Sequence, residues 1–260
     1  MAVEYTGSGD PRRSVELLWG TFDPPKRGPR PRLTLRQIAT AGIELADASG
    51  IGALSMRQVA ERLDVGTMSL YTYVPSKAEL VDVMVDTAYG ESADPVALAD
   101  GWLAGLAEVA RRNWTLLLRH PWMLQVSSTR PALGPNATAK YDNELRVLDG
   151  IGLTDVEMDT VLSAVIGYVE GSARRVVDAG EAERRTGMSD EQWWRGHAPV
   201  LDEVAMVGRF PLASRVGSAV GQMYGAAGDL PRVFQVGLDC LLTGIESYVR
   251  SRTGGRSGTR

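Results

Sequence analysis

The reading of the fold turns on residues 55–74, SMRQVAERLDVGTMSLYTYV. Ser55 with Gln58 three residues on is a capping box, whose side chains satisfy the backbone donors that open a helix. Met56, Val59, Ala60 and Leu63 then recur at i, i+3, i+4 and i+7, one face of a helix. Asp64-Val65-Gly66 interrupts the pattern, and a further short helix is expected from Thr67 to Val74 with Leu70 and Val74 turned inward. Pro75 ends it, and Ser76-Lys77-Ala78-Glu79 is a second capping box that opens the next helix. Two short helices across a three-residue turn lay the second helix into the major groove while the first crosses the backbone. The outward face of that second helix carries Thr67, Met68, Ser69, Tyr71, Thr72 and Tyr73. Hydroxyls there suit base edges and phosphate oxygens, and Met68 suits a thymine methyl or a sugar. Taken alone, the pattern also describes a plain helical hairpin, in which paired tyrosines belong to a core. Here Leu70 and Val74 already fill the inward face.

Working outward, Leu35, Ile38, Ala39, Gly42, Leu45 and Ala46 mark one face of a preceding helix, with Thr34 as cap and Ser49-Gly50 as stop. Residues 1–32 are rich in Pro, Gly and charge and read as a flexible arm. Within it, Val15–Trp19 either docks on the body or forms one loose turn. Beyond Gly90, helical patterns run over about 98–118, 121–127, 137–149, 155–182, 189–206, 211–224 and 231–252, separated by Pro and Gly. No strand alternation and no repeat is visible, so the fold class is all-α. The expected divisions are an arm at 1–32, a three-helix reading head at 33–78, a larger helical body at 79–252 and a disordered tail at 253–260.

The net charge of −4 is unevenly spread. Residues 24–77 hold eight basic and four acidic side chains, which leaves the remainder at −8. A small basic module is joined to a larger acidic one, the charge footprint of a nucleic-acid reader. Arg27, Arg30 and Arg32, with Lys26, form a basic Pro/Gly segment suited to the narrow minor groove of A·T-rich DNA, or to a solvated linker. No apolar run reaches the ~20 residues that span a membrane, and MAVEYTGSGDPRR lacks the apolar stretch of a signal peptide. The single Cys240, in apolar VGLDCLLTGI, reads as a buried structural thiol, and the chain as cytoplasmic. No P-loop, G-x-S-x-G, H-E-x-x-H or Cys/His metal spacing is present, which argues against an enzyme, a cofactor and a metal. A non-catalytic helical interaction module is the alternative class.

The stretch LTLRQIATAGIELADASGIGALSMRQVAERLDVGTMSLYTYVPSKAELVDVMVD, residues 33–86, resembles the DNA-binding domain of the tetracycline-repressor (TetR) family throughout. More weakly, STRP at 128–131, LSAVIGYVEG at 162–171 and FQVGLDCLLTGIE at 234–246 resemble its regulatory domain. The resemblance implies a repressor released from a palindromic operator by a small molecule, although the family also holds activators. It implies that Arg57, Thr67, Met68 and Thr72 meet bases, while Ser69, Tyr71, Tyr73 and Lys77 meet phosphates. For Arg57 the competing reading is an i,i+4 pair with Glu61. Asp64 stands where the family has Gly in the turn, a position that needs a left-handed backbone; Asp tolerates it at roughly 1 kcal/mol relative to Gly.

Two further groups follow from the bulky and the small residues. Trp102, Leu106, Trp114, Leu117, Trp122, Met123, Tyr141 and Tyr168, with the polar Asn113, His120, Gln125 and Arg130 close by, stand where the family encloses an effector. Core packing explains any one of them; as a group they suggest an apolar or aromatic ligand. Val126 replaces a metal-holding histidine of the tetracycline-type pocket, which disfavours a metal-chelated ligand. Gly167, Gly171, Gly237, Leu241, Gly244, Ile245 and Tyr248 form small-residue stripes suited to close helix approach, either within the chain or across a homodimer. A two-fold dimer sets its heads roughly 34–36 Å apart, one turn of DNA.

Overall fold

Helix α2 (Leu35–Ser49) begins where the sequence says it must. Thr34 accepts from the Gln37 backbone, and Gln37 returns the contact to the Thr34 N–H. The computed structural model describes residues 4–5, 9–21, 33–127, 131–204 and 209–254. These fall into two compact units, Met1–Glu170 with Leu242–Arg260, and Gly171–Leu241.

In the first unit, α2 packs on α3 (Met56–Arg62) and on α5 (Lys77–Tyr89), with the four-residue α4 (Thr67–Leu70) against α3. Ile38, Ala39, Val59, Leu70, Val74, Leu80 and Met84 are essentially removed from water and form the core of this head. Gly42 is buried where a Cβ would meet the Met84 sulfur at 2.7 Å, so its missing side chain lets α2 and α5 approach. The body continues with α6 (Trp102–Arg119), a 3-10 turn over Pro121–Gln125, α7 (Pro135–Leu145) and α8 (Asp155–Thr186). Among the described residues the all-α expectation holds, apart from a two-residue parallel pairing of Glu4–Tyr5 with Val126–Ser127.

Residues 1–32 are not wholly an arm. Helix α1 (Pro11–Leu18) is capped by Asp10, buries Ser14 and Leu17, and packs on α5. Just after it, the Trp19 indole donates to the Leu133 carbonyl at 2.8 Å. Of the apolar stretch, Leu17 is buried and Leu18 half-buried, whereas Val15 and Trp19 stay exposed, so the docked side is carried by few residues and the signal in the sequence is weak. Lys26, Arg27, Arg30 and Arg32 lie outside the described residues, as do Arg130 and the tail beyond Gly254.

The second unit contains α9 (Asp190–Val204) and α10 (Pro211–Tyr224), together with parts of α8 and of α11 (Leu230–Gly254). The Trp194 indole lies against Gly221, where a Cβ would collide with it. Trp194, Leu201, Phe210 and the small Ala213 and Gly217 line a groove of about 440 Å³. Among the described residues α10 buries none, and Leu212, Val216 and Met223 stand exposed. Cys240 is exposed too, contrary to the sequence reading. The buried stripe of α11 runs through Phe234, Leu238, Leu242, Ile245 and Val249, and Cys240 falls two residues, some 200° of helix, from Leu238. Among the described residues no helix is long and apolar enough to cross a membrane.

Candidate nucleic-acid interface

The turn between α3 and α4 is built as the spacing demands. The Val65 N–H donates to the Ala60 carbonyl at 3.0 Å, and Asp64 takes φ +52°, the left-handed conformation that the turn requires. Helix α4 is shorter than expected. After Leu70 the chain tightens, with Thr72 N–H on Ser69 O and Tyr73 N–H on Leu70 O, so Tyr71, Thr72 and Tyr73 sit on turns rather than on a continuous helix.

The division into faces is as the sequence requires. Leu70 and Val74 are buried, whereas Met68 is 78% exposed and Tyr71 41% exposed, with Ser69 and Thr72 beside them in solvent. Thr67, Tyr73 and Lys77 are half-buried. The Thr72 hydroxyl turns back to donate to Ser69 O at 2.6 Å. Arg57 is 81% exposed, and its Nε pairs with Glu61 at 2.7 Å, which raises the guanidinium pKa further. The i,i+4 pair and a readable surface arginine are thus the same residue. Arg62 reaches across to Glu44 of α2 and braces the head. The exposed face presents hydroxyls, a thioether and one arginine, a surface for base edges and phosphate oxygens.

The head meets the body through polar side chains of which the sequence singled out only His120 and Trp122, and those for another role. Asp86 on α5 is buried and receives the Ala137 N–H at 2.9 Å and the Asn136 amide at 3.0 Å. It therefore closes the N-terminus of α7, whose own cap residue, Gly134, has no side chain to do so. Burial raises the Asp86 pKa, and the donors from Ala137 and Asn136 oppose that rise. A Cβ on Gly134 would strike the Asp86 carboxylate. His120, with only 4% of its side chain exposed, lies between Asp47 of α2 (2.9 Å from Nδ1) and Glu91 after α5 (3.2 Å from Nε2). The Trp122 indole also donates to Asp47, at 2.9 Å, and Arg119 pairs with Glu91.

The predicted effector residues are differently placed in the fold. Trp122, Leu106, Leu117, Met123 and Asn113 are buried, and Asn113 donates to Glu144, itself paired with Lys140. Two clefts of the first unit have volumes of about 460 and 710 Å³; of the predicted effector residues, only His120 lines either. Tyr141 faces solvent and donates to Asp159, because α7 turns that side away from the core. Trp102, Trp114, Gln125 and Tyr168 are half-buried.

Of the predicted dimer residues in the first unit, Gly167, Gly244 and Tyr248 are exposed, whereas Ile245 is buried within the chain. In the second unit Gly171 is exposed, and Gly237 and Leu241 are half-buried. The ends of α8 and α11 are clasped by Glu157, which accepts from Thr154, Tyr248 and Arg252. The Thr154 backbone N–H, first among these donors, helps lower the Glu157 pKa to about 2.

With this geometry in place, comparison with known proteins is informative. A family model described as bacterial regulatory proteins, tetR family, matches residues 33–84, and one described as tetracyclin repressor-like, C-terminal domain, matches residues 94–249. The HTH-type transcriptional repressor DrrR1 of Streptomyces coeruleorubidus is 43% identical over 254 residues, covering 97% of this chain and 92% of that protein. Apo ActR of Streptomyces coelicolor superposes with a TM-score of 0.66 at 21% identity, covering 86% of this chain and 99% of ActR. ActR in complex with actinorhodin superposes at 0.65 with 22% identity, covering 83% and 96%.

Proposed function

The chain belongs to the TetR family of bacterial regulatory proteins, and from that premise we propose that it is a non-catalytic, sequence-specific transcriptional repressor. In this reading it acts in the cytoplasm on a palindromic operator, from which a small molecule releases it. The observation that carries the reading is the exposed face of α4, where Met68, Ser69, Tyr71 and Thr72 are presented by buried Leu70 and Val74. Arg57, on leaving Glu61, takes a guanine edge; Thr67 and Met68 meet bases, and Ser69, Tyr73 and Lys77 meet phosphates. Arg27, Arg30 and Arg32 supply minor-groove contacts.

Two copies associate about a two-fold axis through α8 and α11, and the exposed Gly167, Gly171, Gly244 and Tyr248 support close approach there. The similarity to a named repressor at 43% identity supports repression over activation. ActR, a protein of the same fold, has been solved with actinorhodin bound, and this supports a small-molecule effector here; the bulky Trp102, Trp114 and Tyr168, with Gln125, favour an apolar or aromatic one taken among them. The ligand must favour the DNA-free arrangement of the heads, with a reciprocal coupling of about 1–3 kcal/mol.

Selection from random duplex DNA tests the proposal. The expected result is a palindromic consensus with half-sites about one helical turn apart. Failure to enrich any sequence overturns the reading. Release of that duplex by at least one member of a panel of planar aromatic compounds tests the effector arm, and no release by any member removes it.

A further inference from the structure

The head and the body share α5: Leu80 and Met84 on it belong to the core of the head, and Asp86 on it holds the start of α7. An attachment off the axis of α5 adds leverage on where the reading face points. The His120 cluster is such an attachment. His120 follows α6 of the body, yet its ring is enclosed by groups from two other places: Asp47 near the end of α2 in the head, and Glu91 at the exit of α5. Both Asp47 oxygens lie within 3.0 Å of Nδ1. Carboxylates only accept, so the ring nitrogen that carries a proton is the one that donates to the carboxylate facing it. Trp122, buried in the turn that follows, donates to the same Asp47, and Arg119, one residue before His120, pairs with Glu91. Three side chains within residues 119–122 thus converge on one carboxylate of the head and one at the root of α5.

We propose that His120 is a positioning residue of DNA recognition: by bridging Asp47 and Glu91 it fixes the angle of the reading head about α5, and so the half-site separation that the dimer accepts. The inference rests on the proposed DNA-binding function. It assigns to His120 a role in operator geometry rather than in holding effector.

The experiment uses the full-length chain and the duplex recovered by selection from random DNA. Three affinities are compared: for that duplex, for a version lengthened by two base pairs at its centre, and for an isolated half-site. For wild type, the selected duplex is strongly preferred over the lengthened one. His120→Phe keeps a ring of similar size and removes both contacts. It is expected to reduce that preference by about tenfold, with half-site affinity unchanged. His120→Gln, whose amide still donates, restores part of the preference, an outcome that a purely structural loss would not give. Should His120→Phe fail to fold by thermal melting, Asp47→Asn, which keeps an acceptor for Trp122, is expected to change the preference in the same direction by less. A folded His120→Phe with unchanged spacing preference overturns the proposal. So does an equal loss on all three duplexes. If no duplex is ever selected, it is the DNA-binding reading that falls, before any variant is compared.

Discussion

Helices α4 and α5 follow one another in the chain and use their side chains in opposite ways. Helix α4 has four residues, carries no charge, and buries only Leu70. Helix α5 has thirteen residues and buries nine, among them Glu79, Asp82 and Asp86. A surface that meets DNA has to be exposed, and it gains sequence preference from hydrogen-bonding edges and shape rather than from net charge. A helix that links two domains has to be held on every side. A buried carboxylate does that well, because leaving it without donors is so costly. Recognition and coupling are therefore separated along some twenty residues.

Substitutions can break or sharpen that separation. The largest effect is expected where α4 breaks its own rule. Leu70→Ala empties a fully buried site and should cost about 2–5 kcal/mol in chemical denaturation, with operator binding lost as the head loosens. A stability change confined to a few tenths would show that α4 is not anchored in the core. Next comes Asp86→Ala, which strands the Ala137 N–H and the Asn136 amide at a cost of about 1–3 kcal/mol. Asp86→Asn retains an acceptor and is expected to lose less; equal losses in thermal melts would mean that the cap of α7 is dispensable.

On the DNA side, Arg57→Ala should leave unfolding nearly unchanged and relax preference at one base pair by ~1–3 kcal/mol. Lys77→Ala should weaken all duplexes alike. Binding measured across single-base operator variants distinguishes the two, and sequence-independent losses for both would reverse their assigned roles. The smallest effect lies at the hinge between recognition and packing. Asp64→Gly relieves a left-handed backbone and should stabilise the head by roughly 1 kcal/mol, with base preference retained.

The head was legible in the sequence because local signals agreed there. Ser55, Asp64, Leu70 and Ser76 each state a cap, a turn or an inward position, and the structure places them accordingly, although the Gln58 and Glu79 side chains meet the serine hydroxyls instead of closing the two expected capping boxes. The end of α4 was less legible, since nothing in YTYV distinguishes a helical turn from a 3-10 one. The junction was not legible at all. Asp47 lies 73 residues from His120 and 75 from Trp122, so periodicity cannot pair them, and a histidine beside tryptophans reads more naturally as a pocket. Asp86 lies 50 residues from Asn136, and only the fold brings a capless helix start to it. The Cys240 reading failed because apolar neighbours in sequence do not specify which side of α11 is covered.

Trp122 gives the molecule a built-in optical reporter. Its indole is 1% exposed, with the N–H held by a carboxylate of the reading head, so its emission belongs to a dry, fixed site and shifts to longer wavelength once water reaches it. In a version whose other five tryptophans are replaced by phenylalanine, the colour of that emission reports without any label whether head and body are clasped, in the presence or absence of DNA.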